Sequence, residues 1–285
     1  MKKILFLFIT FFALIQAISA QEKTTSPGKY TAHNKGKMFI FWGGNRESFS
    51  KSDIHFKGAD YDFTLYDVQA RDKPKGWQID YVNPSRMTIP QTNLRIGYFI
   101  NDHYNISIGL DHMKYVMNQN QIATIGGVVG ASYPDYAGVY LPSGNHTIDL
   151  TDGGFLTFEH TDGLNYINTE FSRVDDISKI FNIRNTDKFQ LNITEGIGAG
   201  LLYPKTNTKL LGKERHDDFH LSGFGISAKV GLNLTFFKYF FIEAEMKGGY
   251  INMNDIRTTK DPADSASQHF LFLQRIIAFG GIFKI

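Results

Sequence analysis

The 285-residue chain has no cysteine. No disulfide can staple it, so as an exported protein it must hold together by strand pairing and packing alone. Beyond residue 20, no apolar run reaches the roughly 18 residues of a membrane-crossing helix. Helical membrane spans are therefore excluded. Net charge is nearly absent too: 30 basic residues face 28 acidic ones, a formal +2. A nucleic-acid binder needs a basic excess or stripe, and this balance argues against one. The chain lacks a phosphate loop, a dinucleotide fingerprint and a heptad repeat. No His-x-x-x-His spacing marks a metal site, and "DLTDGG" at 149–154 lacks the full calcium-loop pattern. No metal and no cofactor is expected.

What is present begins with a leader. "MKKILFLFITFFALIQAISAQ" opens on Lys2 and Lys3, runs apolar over residues 4–15 and ends on small residues. That is a secretory signal peptide, cut after Ala20. The cut leaves 28 basic against 28 acidic residues. No cysteine follows the apolar stretch, so the chain is not a lipoprotein. Residues 21–36 read as a polar N-terminal segment, and 37–285 as one barrel domain. Aromatics make up 14% of the chain, with 25 Phe, 14 Tyr and 27 Gly. Many aromatics and glycines without a long apolar run suit a β protein. One class of β protein needs outward aromatics and a polar inside, the transmembrane barrel.

The alternation supports that class. Over 92–115, Leu94, Ile96, Tyr98 and Ile100 alternate with Asn93, Arg95, Gly97 and Phe99. After a tight turn at 101–103, Tyr104, Ile106, Ile108 and Leu110 alternate with Asn105, Ser107, Gly109 and Asp111. Period two on both sides of a short turn is a β-hairpin. The design recurs at 224–250, where seven apolar residues from Phe224 to Phe236 share one face. That is enough to cover the roughly 9–11 residues of a tilted membrane strand. Residues 164–174 and 189–203 add two more strands. The chain ends "FLFLQRIIAFGGIFKI", alternating to Ile285. The first strand, "KMFIFWGGNRESF", is aromatic on both faces, which leaves its register open. Short connections at 101–103, 182–187 and near Lys238 alternate with long ones at 50–88, 118–163, 204–219 and 254–266. Eight antiparallel strands result, with short periplasmic turns and long extracellular loops. Within 50–88, "YDFTLYDVQ" reads as a hairpin rising above the rim. A soluble sandwich or lipocalin-like barrel would carry Lys and Glu on its polar faces. Here those faces are Gly, Ser, Asn and Thr, which fit the narrow inside of an eight-stranded barrel.

The C-terminal strand, "SKSDIHFKGADYDFTLYDV" and "RMTIPQTNLRIGYFI" carry a resemblance over about 37–285. The chain resembles eight-stranded outer-membrane barrels of the OmpA/OmpX type. More closely it resembles the porin-like outer-membrane β-barrel proteins common in Bacteroidota, which have no agreed function. The resemblance implies the outer membrane of a Gram-negative bacterium as location. It implies contact with outer-membrane lipid and lipopolysaccharide, and insertion by the barrel assembly machinery. The last residue, Ile285, departs from the usual Phe.

Charged residues that share the small-residue face form a candidate lumen network: Arg95, Asp111, Glu170, Lys229, Glu243, Glu245 and Lys247. The turn at 101–103 places Asn93 opposite Asp111, with Arg95 in diagonal reach of it. The same arithmetic brings Lys229 to Glu245. Buried ions must be paired, so a salt-bridge plug is expected, with a small pore or polar cavity as the alternative. Glu195 breaks the alternation. The Gly196 that follows suggests a bulge that turns Glu195 inward.

His160, Asp162 and downstream Glu170 in "FEHTDGLNYINTEF" invite comparison with lipid A deacylases of the PagL type, which use a His-x-Ser pair and a Glu. Here the nucleophile position is Asp162, so that mechanism is unsupported. His160, Asp162 and His112 read as a polar cluster at the outer rim. The Tyr-, Gly- and Pro-rich loops suit an extracellular ligand or partner protein, or a cap over the barrel. The expected function is a structural or surface-binding barrel. The alternatives are a narrow porin and a lipid A-modifying hydrolase.

Overall fold

The computed structural model describes residues 33–74, 91–141, 144–213 and 218–284. The leader, residues 21–32 of the 21–36 segment and the loop "KGWQIDYVNP" lie outside the described residues. In chain order the strands are β1 (Lys37–Phe49), β2 (Ser52–Gly58), β3 (Tyr61–Val68), β4 (Ala70–Arg71), β5 (Thr92–Phe99), β6 (Tyr104–Met117), β7 (Ile122–Val129) and β8 (Gly138–Tyr140). Then follow β9 (Thr147–Asp149), β10 (Leu156–Asp176), β11 (Phe189–Leu202), β12 (Asn207–Leu210), β13 (Gly223–Phe236), β14 (Phe240–Arg257) and β15 (Ser265–Lys284).

Eight of these close a ring in the order β1-β5-β6-β10-β11-β13-β14-β15. Antiparallel pairing of β1 with β15, from Lys37↔Lys284 to Phe49↔Phe272, shuts it. The ring has no free edge, so its backbone polar groups are paired within the wall. Connections at 100–103, 177–188 and 237–239 gather at one end, the short-turn end. The longer connections gather at the other.

Alternation then sorts the side chains. Leu94, Ile96, Tyr98, Ile106, Ile108 and Leu110 face outward, as do Phe171, Ile197, Ile226, Leu232 and Ile277. Ile108 and Ile197 are 61% and 65% exposed, which is far more apolar surface than a soluble wall presents. Asn93, Arg95, Asn105, Ser107 and Asp111 on the same hairpin are buried inside.

The interior is layered along the barrel axis. At the short-turn end, Phe39, Phe41, Phe99, Phe241, Ile276, Ala278 and Ile282 form a buried apolar layer. Phe39 and Phe99 lie 5.4 Å apart, and Phe41 meets Phe241 edge-on at 6.4 Å. This fixes the open register of β1: the phenylalanines point in, while Ile40 and Trp42 point out. The middle layer is polar. Beyond it, at the long-loop end, the inner face turns apolar again. On β6 the inward sequence runs Asp111, Met113, Tyr115, Met117.

This outer layer revises the reading of 50–88, 118–163, 204–219 and 254–266 as loops. β14 runs on to Arg257 and β10 starts as early as Leu156. The β2–β3 hairpin at 52–68 pairs with β15 through β2 and with β7 through β3. β12 pairs with the start of β10 beyond the end of β11, and β8 and β9 pair on β7. These pieces enclose a second core that includes Ile54, Phe56, Phe63, Leu65, Phe155 and Phe158. Phe56 stacks on Phe63 at 5.3 Å and meets Phe158 edge-on at 5.7 Å. The wall thus continues past the outward apolar belt as a cap with its own core.

Replacing Phe63 with Ala is expected to loosen the cap by about 3–5 kcal/mol, the usual consequence of emptying a buried phenylalanine site. Hydrogen exchange should rise at residues 52–68 while the strand pairs of the ring below stay protected. Uniform loss of protection in both regions would contradict a separately cored cap.

Candidate functional site

The middle layer is built from residues that alternation drives inward on β5, β6, β10, β13 and β14. Glu170 on β10 is its hub. Its carboxylate lies 2.9 Å from Arg95 Nη2, 2.8 Å from Lys247 Nζ and 3.2 Å from Lys229 Nζ. Asp111 takes Lys247 at 2.8 Å and sits 3.7 Å from Arg95. Glu245 takes Lys229 at 2.7 Å and lies 3.6 Å from Lys247. Three cations therefore meet three carboxylates, all buried. Amides and hydroxyls complete the shell. Arg95 donates to Asn168 Oδ1 at 2.7 Å and to Ser107 Oγ at 3.2 Å. Asn93 and Asn168 donate to Asp111 at 2.6 and 3.1 Å. Glu243 stands apart from the ion contacts and accepts from Thr194 (2.8 Å) and Asn233 (3.1 Å).

Glycine makes the geometry possible at one point. A Cβ on Gly109 would fall 2.7 Å from the Arg95 guanidinium carbon, so a larger residue there would displace the cation. Between the network and the phenylalanine layer lies a cavity of about 40 Å³, lined in part by Asn192, Asn233, Thr235, Lys229 and Glu243. It has room for about three waters.

Sequence reasoning missed the continuation of the network toward β1. Asn93 donates to Gln274 Oε1 at 3.3 Å, and Gln274 donates to Glu47 at 3.1 Å. Gln91 then bridges Glu47 and Asp72. The open register of β1 hid Glu47; once Phe39 and Phe41 point in, parity places Glu47 inside.

Glu195 is a correction. Pairing is continuous on both flanks, Arg173↔Glu195 on β10 and Glu195↔Val230 on β13, with no bulge at Gly196. Glu195 therefore keeps the outward parity of Ile193 and Ile197. Its cross-strand partner is a cation, Arg173, and the site lies near the short-turn end, so nothing forces it inside. Arg173 also holds Asp175 at 2.6 Å and lies 5.9 Å from the ring centre of Tyr104. His103 joins Asp175 at 2.9 Å.

The rim cluster assembles only in part: His112 stays within electrostatic reach of Asp162, and His160 turns away from both. Two extra residues on β10 between His160 and Leu164 shift the register against β6. They push Asp162 out to the surface, 3.7 Å from Lys205. His160 stays inside the cap, fully buried, 4.9 Å from the Phe158 ring and 5.6 Å from Tyr115. Its Nδ1 lies 2.9 Å from Thr206 Oγ1. His112 takes the outward parity and meets Asn165 Oδ1 at 2.8 Å. A buried imidazole with no serine beside it has no route to a substrate. Burial holds the His160 pKa down at about 4 and pushes Tyr115 up to about 12. Among the described residues, no group of three His, Asp or Glu is placed to hold a metal.

No protein-family model matches the chain, and none of the curated proteins matches it. Solved outer-membrane proteins are similar in shape. Ail of Yersinia pestis is 12% identical, covering 87% of this chain and 99% of its own, with a TM-score of 0.31. The outer-membrane protein AlkL is 8% identical, covering 92% and 97%, with a TM-score of 0.38. OprG of Pseudomonas aeruginosa is 8% identical, covering 89% and 99%, also at 0.38. Likeness at this level carries no functional argument. The barrel rests on the closed ring itself.

Two outcomes follow from the network and the cap. Glu170→Gln leaves three cations facing two carboxylates and is expected to lower stability by about 3–5 kcal/mol. Glu243→Gln, which breaks hydrogen bonds alone, is expected to lower it by about 1 kcal/mol. Urea titration of the folded barrel compares them, and equal losses would refute the hub role of Glu170. In the cap, His160 is neutral when folded and takes a proton near pH 6.5 when unfolded. Its contribution is therefore constant above about pH 6.5, is lost as pH falls to about 4, and amounts to roughly 3 kcal/mol. His160→Gln should flatten that part of the cap's pH–stability curve.

Proposed function

We propose that the protein is an outer-membrane β-barrel with a structural or surface-binding role, its lumen plugged and its working surface on the cap. One observation carries this reading: the wall is apolar outside through the belt, yet side chains fill the interior in three successive layers, with one cavity of about 40 Å³ among the described residues at the short-turn half. The phenylalanine layer, the balanced ion network and the cap core succeed one another along the axis. An apolar belt of this kind suits lipid, and burial of polar groups inside a closed wall suits a membrane-spanning barrel. The leader, with its cut after Ala20, and the alternating C-terminal strand support export and insertion by the barrel assembly machinery. The short-turn end then faces the periplasm and the cap faces outward.

A conducting pore needs a continuous water path, and the three filled layers argue against one. A hydrolase needs an accessible nucleophile and base, and the burial of His160 argues against that. The cap remains as the place for contact with an extracellular ligand or partner. Its outer face exposes Ile122, Val128, Val139 and Leu141, with Val128 and Val139 directly opposite each other across β7 and β8.

The full-length protein should fractionate with the outer membrane and migrate faster on gels before boiling than after. Reconstituted in planar bilayers, it should pass no steady current. A soluble periplasmic protein without a mobility shift would refute the barrel reading, and stable unitary conductance would refute the plug.

A further inference from the structure

Two cross-strand pairs on the outward face of the wall contrast in charge. On β10 and β11, Arg173 is opposed by Glu195 and paired with Asp175. On β1 and β15, Arg46 lies directly opposite Arg275, and both side chains are exposed on the outward face. Like charges opposite one another destabilise a sheet. Outward arginine in an apolar belt adds a desolvation penalty that eases toward the headgroups. Among the described residues neither arginine has an ion-pair partner: Asp72, on the flank of β1, is held instead by the Glu47 N–H at 3.1 Å and by Gln91. Along the outward faces of β15 and β1 no Asp or Glu appears, Glu243, Glu245 and Glu47 point inward, and the one outward acid of β14, Asp255, lies up in the cap and is taken by His220 at 2.7 Å. Arg46 spends one N–H on the Asn45 carbonyl at 2.7 Å. Arg275 has no hydrogen-bond or ion-pair partner among the described residues.

Position and shape add to this. Pairing of β1 with β5 ends at Gly44↔Thr92, so Arg46 stands above the last rung of β5, toward the cap. Immediately below, Gly44 leaves the outer surface open: a Cβ there would meet only the Gln91 carbonyl, at 3.8 Å. Exposed Trp42 and Ile277 flank that gap on the apolar side. A tryptophan at this height is the usual mark of the boundary between hydrocarbon and headgroups. Two guanidinium groups at that boundary, over an open apolar trough, match an anionic headgroup with acyl chains below it. Guanidinium binds phosphate oxygens through paired N–H donors, and a shared phosphate turns the repulsion between the two arginines into a bridge.

We propose that Arg46 and Arg275 form a clamp for a phosphate group of a membrane lipid in the leaflet next to the cap, with the acyl chain lying over Gly44 beside Trp42. Under the outer-membrane reading, on which this rests, that lipid is the phosphorylated glycolipid of the outer leaflet. The test uses the folded full-length barrel in detergent micelles, offered diphosphoryl lipid A or the same lipid with its phosphates removed, with bound lipid counted by native mass spectrometry. The wild-type protein should hold the phosphorylated form at least tenfold more tightly. The double variant Arg46→Gln/Arg275→Gln should lose that preference, and Arg46→Lys/Arg275→Lys should recover part of it. Equal retention of the two lipids by the wild-type barrel overturns the proposal, whether or not the variants fold. So does an undiminished preference in a double variant that keeps its heat-dependent gel shift. If the wild-type protein itself shows no such shift, the barrel reading has failed first, and the two failures are told apart.

Discussion

Glu170 meets all three buried cations of the lumen, and the middle of the barrel is organised around that contact. An eight-stranded ring encloses too little space for bulk water, so groups that point inward lose hydration and must find partners in the wall. Arg95, Lys229 and Lys247 come from three different strands, and Glu170 ties them to one point. Asp111 and Glu245 complete the neutral set. This constraint explains the small residues around it. Gly109 yields to the Arg95 guanidinium, and a Cβ on Gly198 would crowd the Glu170 side chain at 2.8 Å. The glycines that look like mere β-barrel composition are the negative image of the ion cluster.

The same strands change their inner chemistry twice along their length. β6 carries Asn105, Ser107 and Asp111 inward, then Met113 and Tyr115. The first set lies inside the outward apolar belt, where the lumen is the only polar refuge. The second lies beyond the belt, where the outer face meets water and an apolar interior is again the favourable arrangement. A strand that crosses from one solvent to another therefore inverts its inside without breaking its pairing. The cap is a water-soluble β structure grown on a membrane wall. That continuity makes it a rigid platform rather than a set of loose loops, and any ligand meets a surface whose shape the barrel has already set.

Much of this was legible in the sequence because period two reports parity directly. The turn at 101–103 alone puts Arg95 beside Asp111, and the turn near Lys238 puts Lys229 beside Glu245. Contacts across the lumen were not legible. Lys247 reaches Asp111 from a strand that is not its neighbour, and alternation gives a face without saying which strands face one another through the barrel. Phe39 and Phe41 were hidden because both faces of β1 are aromatic. The cap was hidden for the opposite reason. Its strands are short, paired across long sequence gaps and broken by turns, so each piece alone reads as loop. Glu195 misled because its neighbours along the strand are apolar, whereas its counter-charge, Arg173, lies across the sheet.

That error exposes the logic of the outer surface. A charge that faces the belt is tolerated where its cross-strand neighbour carries the opposite sign, as Arg173 does for Glu195 with Asp175 adjacent. The wall uses this device near the short-turn end, although its interior could have hosted the carboxylate. Arg46 and Arg275 sit on the seam that closes the ring, and the acidic residues beside them on the adjoining rungs of the wall, Glu47 on β1 and Glu245 on β14, are committed to the inside. Parity allows no compromise: turning either carboxylate outward would slip a strand by one residue and reverse every side chain on it. The register that balances the lumen thus leaves the seam with two like charges. Among the described residues no outward carboxylate stands beside that pair, which is what an anionic group from outside the wall would supply.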